Sequence, residues 1–94
     1  MRKLISNAFS LQMIKNFPSE ICIEEVQDFP SDAESVVGHA DTAAVLGVKM
    51  NRVNVQIEKG DELYVAQIVG GRLPEGATKL PEGFCFKYLK VTLK

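Results

Sequence analysis

Tryptophan is absent from this 94-residue chain, histidine occurs once and cysteine twice. These shortages narrow the chemistry first. One imidazole and two thiols, with no Cys-x-x-Cys pair, fall short of a structural zinc site, and no acidic run has calcium-loop spacing. Neither a metal nor an organic cofactor is expected. The two cysteines stand in alternating apolar runs, Ile21-Cys22-Ile23 and Phe84-Cys85-Phe86, and read as reduced, buried core residues. No apolar stretch reaches the roughly 20 residues of a membrane span. Met1-Arg2-Lys3 is not followed by a signal-peptide core, so a soluble, cytoplasmic protein with no membrane partner is expected. The formal charge of −1 leaves no broad basic surface for long DNA or RNA, so an anionic ligand would need a local pocket. The phosphate loops G-x-G-x-x-G and G-x-x-x-x-G-K-[ST] are missing, which removes support for nucleotide hydrolysis of the common kind.

What is present describes one domain over residues 1–94, without repeats, low-complexity tracts or linkers. Its 46% hydrophobic content is enough for one small core. Domains of this size leave much surface exposed, and a second copy of the chain is a common cover, so a homodimer is expected.

Along the chain, Lys3-Leu4-Ile5 predicts a first strand running into the polar segment Ser6-Asn7-Ala8-Phe9-Ser10. Such a segment offers amide, hydroxyl and backbone N–H groups to a ligand, while Ser10 also suits the N-cap of a brief helix at Leu11–Ile14. Phe17-Pro18-Ser19 breaks the pattern, and Glu20–Val26 alternates as a second strand. Ser31 and Glu34 have capping-box spacing. Arg52–Ile57, with Val53, Val55 and Ile57 in strict alternation, predicts a strand that pairs through the Lys59-Gly60-Asp61 turn with Glu62–Val69 as a hairpin. Gly70-Gly71 ends that strand, Arg72-Leu73-Pro74-Glu75-Gly76 forms a loop, and Pro81-Glu82-Gly83 makes a turn. Phe84–Leu93 alternates again, with a bulge or burial on both faces. The sum is an α+β domain: a mixed sheet of about five strands with short helices packed on one side.

The chain is organised around Ser35–Gly47, which sets the single histidine, His39, between Gly38 and an alanine-rich run that predicts a short helix ended by Gly47. Gly38 would permit a sharp turn and leave open space beside the imidazole. Imidazole titrates near neutrality when unperturbed, so His39 is a candidate acid or base. The plainer reading is a packed or solvated histidine. Asn7, Ser10, His39, Arg52, Gln67, Arg72 and Glu75 all fall at strand ends or in loops, where polar groups can converge on one pocket.

In ordered segments over nearly the whole chain, the sequence resembles the viral anti-CRISPR ring nucleases of archaeal viruses and bacteriophages. The matching segments are Leu4-Ile5-Ser6-Asn7-Ala8-Phe9-Ser10, Gly38-His39-Ala40-Asp41-Thr42, Asn51-Arg52-Val53, and Tyr64-Val65-Ala66-Gln67-Ile68 through Arg72-Leu73-Pro74-Glu75-Gly76. The resemblance implies a homodimer that binds cyclic tetra-adenylate between subunits. It implies cleavage of this type III CRISPR messenger to linear di-adenylates ending in 2′,3′-cyclic phosphate, without metal. His39, Arg72 and Glu75 match catalytic positions, Asn7, Ser10 and Gln67 match ligand contacts, and Arg52 matches a basic position near the ligand. The resemblance departs at Asp41, where a family member carries Ser, and at Gln12, where it carries Asn; the Gly70-Gly71 pair is one residue longer than in some relatives. Asp41 would repel a polyanion unless it points away. Two rival functions are a regulator that binds nucleic acid and a protein that sequesters cyclic oligoadenylate without cutting it.

Overall fold

The computed structural model describes residues 2–15, 20–76 and 78–94. Strands β1 (Lys3–Ser6), β2 (Ile21–Val26), β3 (Glu34–Ser35), β4 (Glu62–Val69) and β5 (Cys85–Leu93) form one mixed sheet in the order β2-β5-β4-β1-β3. β1 runs parallel to both of its neighbours, β3 and β4, whereas β5 is antiparallel to β4 and β2. A single α-helix, α1 (Ala40–Leu46), and a 3₁₀ turn at Leu11–Met13 complete the regular structure among the described residues. The expected α+β class and five-stranded mixed sheet are therefore present.

Alternation along the strands divides the core into two layers. Leu4, Leu63, Val65, Val91 and Leu93 point to one face and are covered by Ile14, Val36 and Ile57. Ile5, Tyr64 and Ala66 point to the other, against Phe29, Leu46 and Val48. β5 contributes to both layers, Leu89 to the first and Phe86 and Tyr88 to the second, with unbroken register from Cys85 to Leu93. Burial on both faces explains its pattern, without a bulge. The 3₁₀ turn, through Met13, lies on the first face and α1, through Leu46, on the second, so the helical pieces flank the sheet rather than sharing one side.

The hairpin expected from Arg52–Ile57 does not form. β4 has β1 on one edge and β5 on the other, so no edge remains for a third partner. Asp61 fixes this choice: its carboxylate accepts from the Arg2 backbone N–H, the Arg2 guanidinium at 2.7 Å and the Glu58 N–H, while Glu62 N–H donates to Arg2 carbonyl. The turn at Lys59-Gly60 is real, but it delivers β4 to β1. Residues 51–56 cross the first face instead, Ile57 making one parallel bridge to Ile14. Alternation alone could not separate a segment that lies over the sheet from one within it. The capping box at Ser31 is likewise replaced: Glu34 and Ser35 pair with Leu4 and Ile5 as β3.

Both cysteines are free, but neither is buried as expected: Cys22 is half-buried and Cys85 exposed. Cys85 pairs with Val69 at the end of the sheet, beyond the side chains that cover the first face, and Val69 is itself exposed. The break read at Phe17-Pro18-Ser19 lies outside the described residues.

Candidate functional site

The three parallel strands finish at the same end of the sheet, and the chain leaves each of them there. Asn7-Ala8 follows β1, Val36–His39 follows β3, and Gly70–Gly76 follows β4. Carboxyl ends of parallel strands are where open sheets gather ligand-binding loops. The Ser6 hydroxyl donates to Ala8 carbonyl at 2.9 Å and accepts from Ala8 N–H at 3.2 Å, closing a tight turn around Asn7.

A second set of bonds fixes the approach to His39. Asn51 N–H donates to Val37 carbonyl at 2.8 Å, the Asn51 amide to Ser35 carbonyl at 2.9 Å, and the Ser35 hydroxyl to Lys49 carbonyl. The Arg52 Nε–H donates to Gly38 carbonyl at 2.7 Å. A Cβ at residue 38 would lie 3.5 Å from Arg52 Cγ, an ordinary contact, so the arginine does not require a glycine there. The φ of Gly38 lies outside the positive range, so the sharp turn expected there is not what glycine supplies. His39 is the N-cap residue of α1, with φ −121° and ψ 123°, and its backbone carbonyl accepts from Ala43 N–H. Its side chain makes no capping bond and is exposed. At the other end of the helix Gly47, with φ 75°, supplies the left-handed C-cap.

His39, Arg72 and Glu75 line one open cavity of about 550 Å³, together with Asn7, Asp41 and Thr42. One guanidinium, one imidazole and two carboxylates thus share a space with an amide and a hydroxyl. The loop that carries Arg72 and Glu75 leaves β4 through Gly70 and Gly71, with φ of 122° and 135°. A side chain at residue 70 would press on Gly83 carbonyl and Phe84, so glycine is needed there for both conformation and space. At its far end the loop is met by Asp41, whose Oδ1 accepts from Gly76 N–H at 3.3 Å. Asp41 therefore faces the loop.

Two further cavities adjoin. Gln67 lines one of about 360 Å³ with Asn7, Thr42 and Phe86. Ser10 lines another of about 590 Å³ with Asn7, Gln12, Asn54 and Gln56, whose walls carry no charged residue. Ser10 precedes the 3₁₀ turn without a side-chain capping bond. Asn7 borders all three spaces. Arg52 is not in the walls of any of them; its Nε is turned to the backbone before His39. Thr42, Asn54 and Gln56 were not among the sequence-derived candidates. Thr42 follows Asp41 in the first turn of α1, a signal available beside His39, whereas Asn54 and Gln56 lie in a segment whose alternation predicts a strand. Among the described residues no three His, Cys, Asp or Glu side chains come together as a metal-binding group, and no helix is long and apolar enough to cross a membrane.

The sequence pattern of the STIV B116-like family matches residues 4–84, from β1 to the turn before β5. The fold is similar to that of B116 of Sulfolobus turreted icosahedral virus (STIV), with a TM-score of 0.71 and 22% identity, over 98% of this chain and 99% of that one. No curated protein matches the sequence. Because the matched span contains β1, His39, β4 and the loop with Arg72 and Glu75, strands and site alike, the chain belongs to the STIV B116-like family.

Proposed function

We propose that this protein is a viral ring nuclease that cleaves cyclic tetra-adenylate and so switches off type III CRISPR signalling in the host cytoplasm. The observation that carries this reading is the shared cavity of His39, Arg72, Glu75 and Asn7 at the carboxyl ends of the parallel strands. The resemblance of the ordered segments to ring nucleases supplies the substrate. A ring of four adenylates needs a few positive charges and many neutral donors, and the adjoining walls with Asn7, Ser10, Gln12 and Gln67 have that character.

In the reaction a ribose 2′-oxygen attacks its own phosphorus. A new O–P bond forms, the bond to the 5′-oxygen breaks, and the hydroxyl proton passes to solvent. His39 gives a proton to the departing 5′-oxygen, a role worth a factor of about 10² to 10⁴. Arg72 meets the charge that builds on the phosphate, and Glu75 orients Arg72. Two subunits would present two equivalent sites to a symmetric ring and yield two linear di-adenylates with 2′,3′-cyclic phosphate ends. No metal is required.

Incubation with cyclic tri-, tetra- and hexa-adenylate, with the products resolved by chromatography and mass, tests the reading. Linear di-adenylate from the tetramer supports it. Tight binding without products would assign a sequestering protein, and steeply salt-dependent binding to long DNA a nucleic-acid regulator.

A further inference from the structure

We infer that Asp41 is a positioning residue that holds the Arg72–Gly76 loop over His39 by fastening its far end to α1. This deepens the proposed reading of the cavity, and it rests on that reading for its kinetic consequence alone. Three observations converge on it. Asp41 Oδ1 accepts from Gly76 N–H at 3.3 Å, a contact between residues 35 positions apart in sequence. Asp41, His39, Arg72 and Glu75 line the same cavity. The loop between begins at Gly70 and Gly71 and ends at Gly76, all with positive φ, so both ends turn in conformations that side chains resist.

The near end of the loop is seated on Phe84, whose ring lies 3.4 Å from where a Cβ of residue 71 would be. The far end is exposed and carries no buried side chain of its own: Pro74, Glu75 and Gly76 are all open to solvent. Packing therefore does little to choose its position, and even the modest, exposed bond from Gly76 N–H to Asp41, at 3.3 Å, has influence on where it rests. Asp41 sits in the first turn of α1, next to the His39 N-cap, so the bond ties the loop of Arg72 and Glu75 to the helix that begins at the imidazole. The charge of Asp41 is unfavourable to a phosphate ligand in the same cavity. Its acceptor oxygen is the useful part, and an amide in its place would keep the bond and shed the repulsion.

Asp41→Ala and Asp41→Asn separate these roles. The first measurement uses the free protein: the rate of exchange of the Gly76 amide with water, followed by NMR. Asp41→Ala should raise it about threefold to tenfold, the range for loss of one modest hydrogen bond, while Asp41→Asn should stay within about twofold of the parent; both lose the first-turn carboxylate of α1, so both lower Tm slightly. The second is cleavage of cyclic tetra-adenylate. Asp41→Ala should lower kcat about fivefold or more, whereas Asp41→Asn should restore kcat and leave KM equal or lower. Unchanged Gly76 exchange in Asp41→Ala overturns the inference, as does a loss of kcat in Asp41→Asn equal to that in Asp41→Ala. If the parent protein fails to cut the ring, the proposed activity falls, and the amide measurement alone still decides whether Asp41 fastens the loop.

Discussion

Arg52 Nε lies 2.7 Å from the carbonyl oxygen of Gly38, the residue before His39. The arginine that the sequence offers as a ligand contact thus has its first duty in the protein itself, on the backbone that presents the imidazole. Arg52→Lys keeps the charge but loses the planar fork. It should lower single-turnover cleavage about threefold to tenfold while the salt dependence of binding stays that of the parent. Equal rates for the two proteins would show that the bond does not position His39.

Acid stability should depend on Asp61. Burial pushes its pKa up, but hydrogen bonds from the Arg2 guanidinium and the backbone N–H groups of Glu58 and Arg2 outweigh that and leave it below the ordinary carboxylate value. A depressed pKa gives stability that is present above the unfolded-state value, near 4, and is lost as pH falls through the folded-state value. Asp61→Asn should therefore be less stable at pH 7 by about 1 to 3 kcal/mol, with a difference that shrinks below about pH 4. Urea melts at pH 7 and pH 3 measure both; a constant difference would contradict the assignment.

The crossing of residues 51–56 over the sheet separates two valines and an isoleucine that look alike in sequence. Ile57 is fully buried between Ile14 and the first face, whereas Val53 is half exposed. Ile57→Ala should cost about 2 to 5 kcal/mol and Val53→Ala less than about 0.5 kcal/mol, read from denaturant midpoints. Similar losses at both would indicate a paired strand.

The proposed intersubunit site requires a second copy. Light scattering at tens of micromolar should give about twice the chain mass of 10.4 kDa. A monomer mass would remove the two-site account of ring cleavage, though not the cavity.

Much of this arrangement is legible in the residues. β2 and β5 follow from alternation and β1 and β4 from short apolar runs, and Gly47 ends α1 as its position beside Leu46 implies. The pairing of strands is another matter, because it depends on which edges are already taken: β4 is enclosed by β1 and β5, and Arg2 with Asp61 commits it to β1 through contacts 59 residues apart. β3 is only two residues long and has no period to detect. Cys85 is exposed because the first core layer stops short of the sheet's end, and local pattern says nothing about where a covering segment stops. At the site, His39, Arg72 and Glu75 were visible as polar groups at strand ends. Their shared cavity arises from three parallel strands ending together. The contact of Asp41 with Gly76 had no sequence signal beyond the presence of an acidic residue in the first turn of α1.

The proposed mechanism gives His39 a part in cleavage and little part in binding. The direct measurement is single-turnover cleavage of cyclic tetra-adenylate by the parent and His39→Ala in EDTA, alongside ligand affinity by titration. An active parent is expected, with a variant slower by about 10² or more and affinities within about tenfold of each other, roughly 1.4 kcal/mol. Cleavage by His39→Ala at the parent's rate, or parent activity that vanishes in EDTA and returns with a divalent ion, would contradict the mechanism.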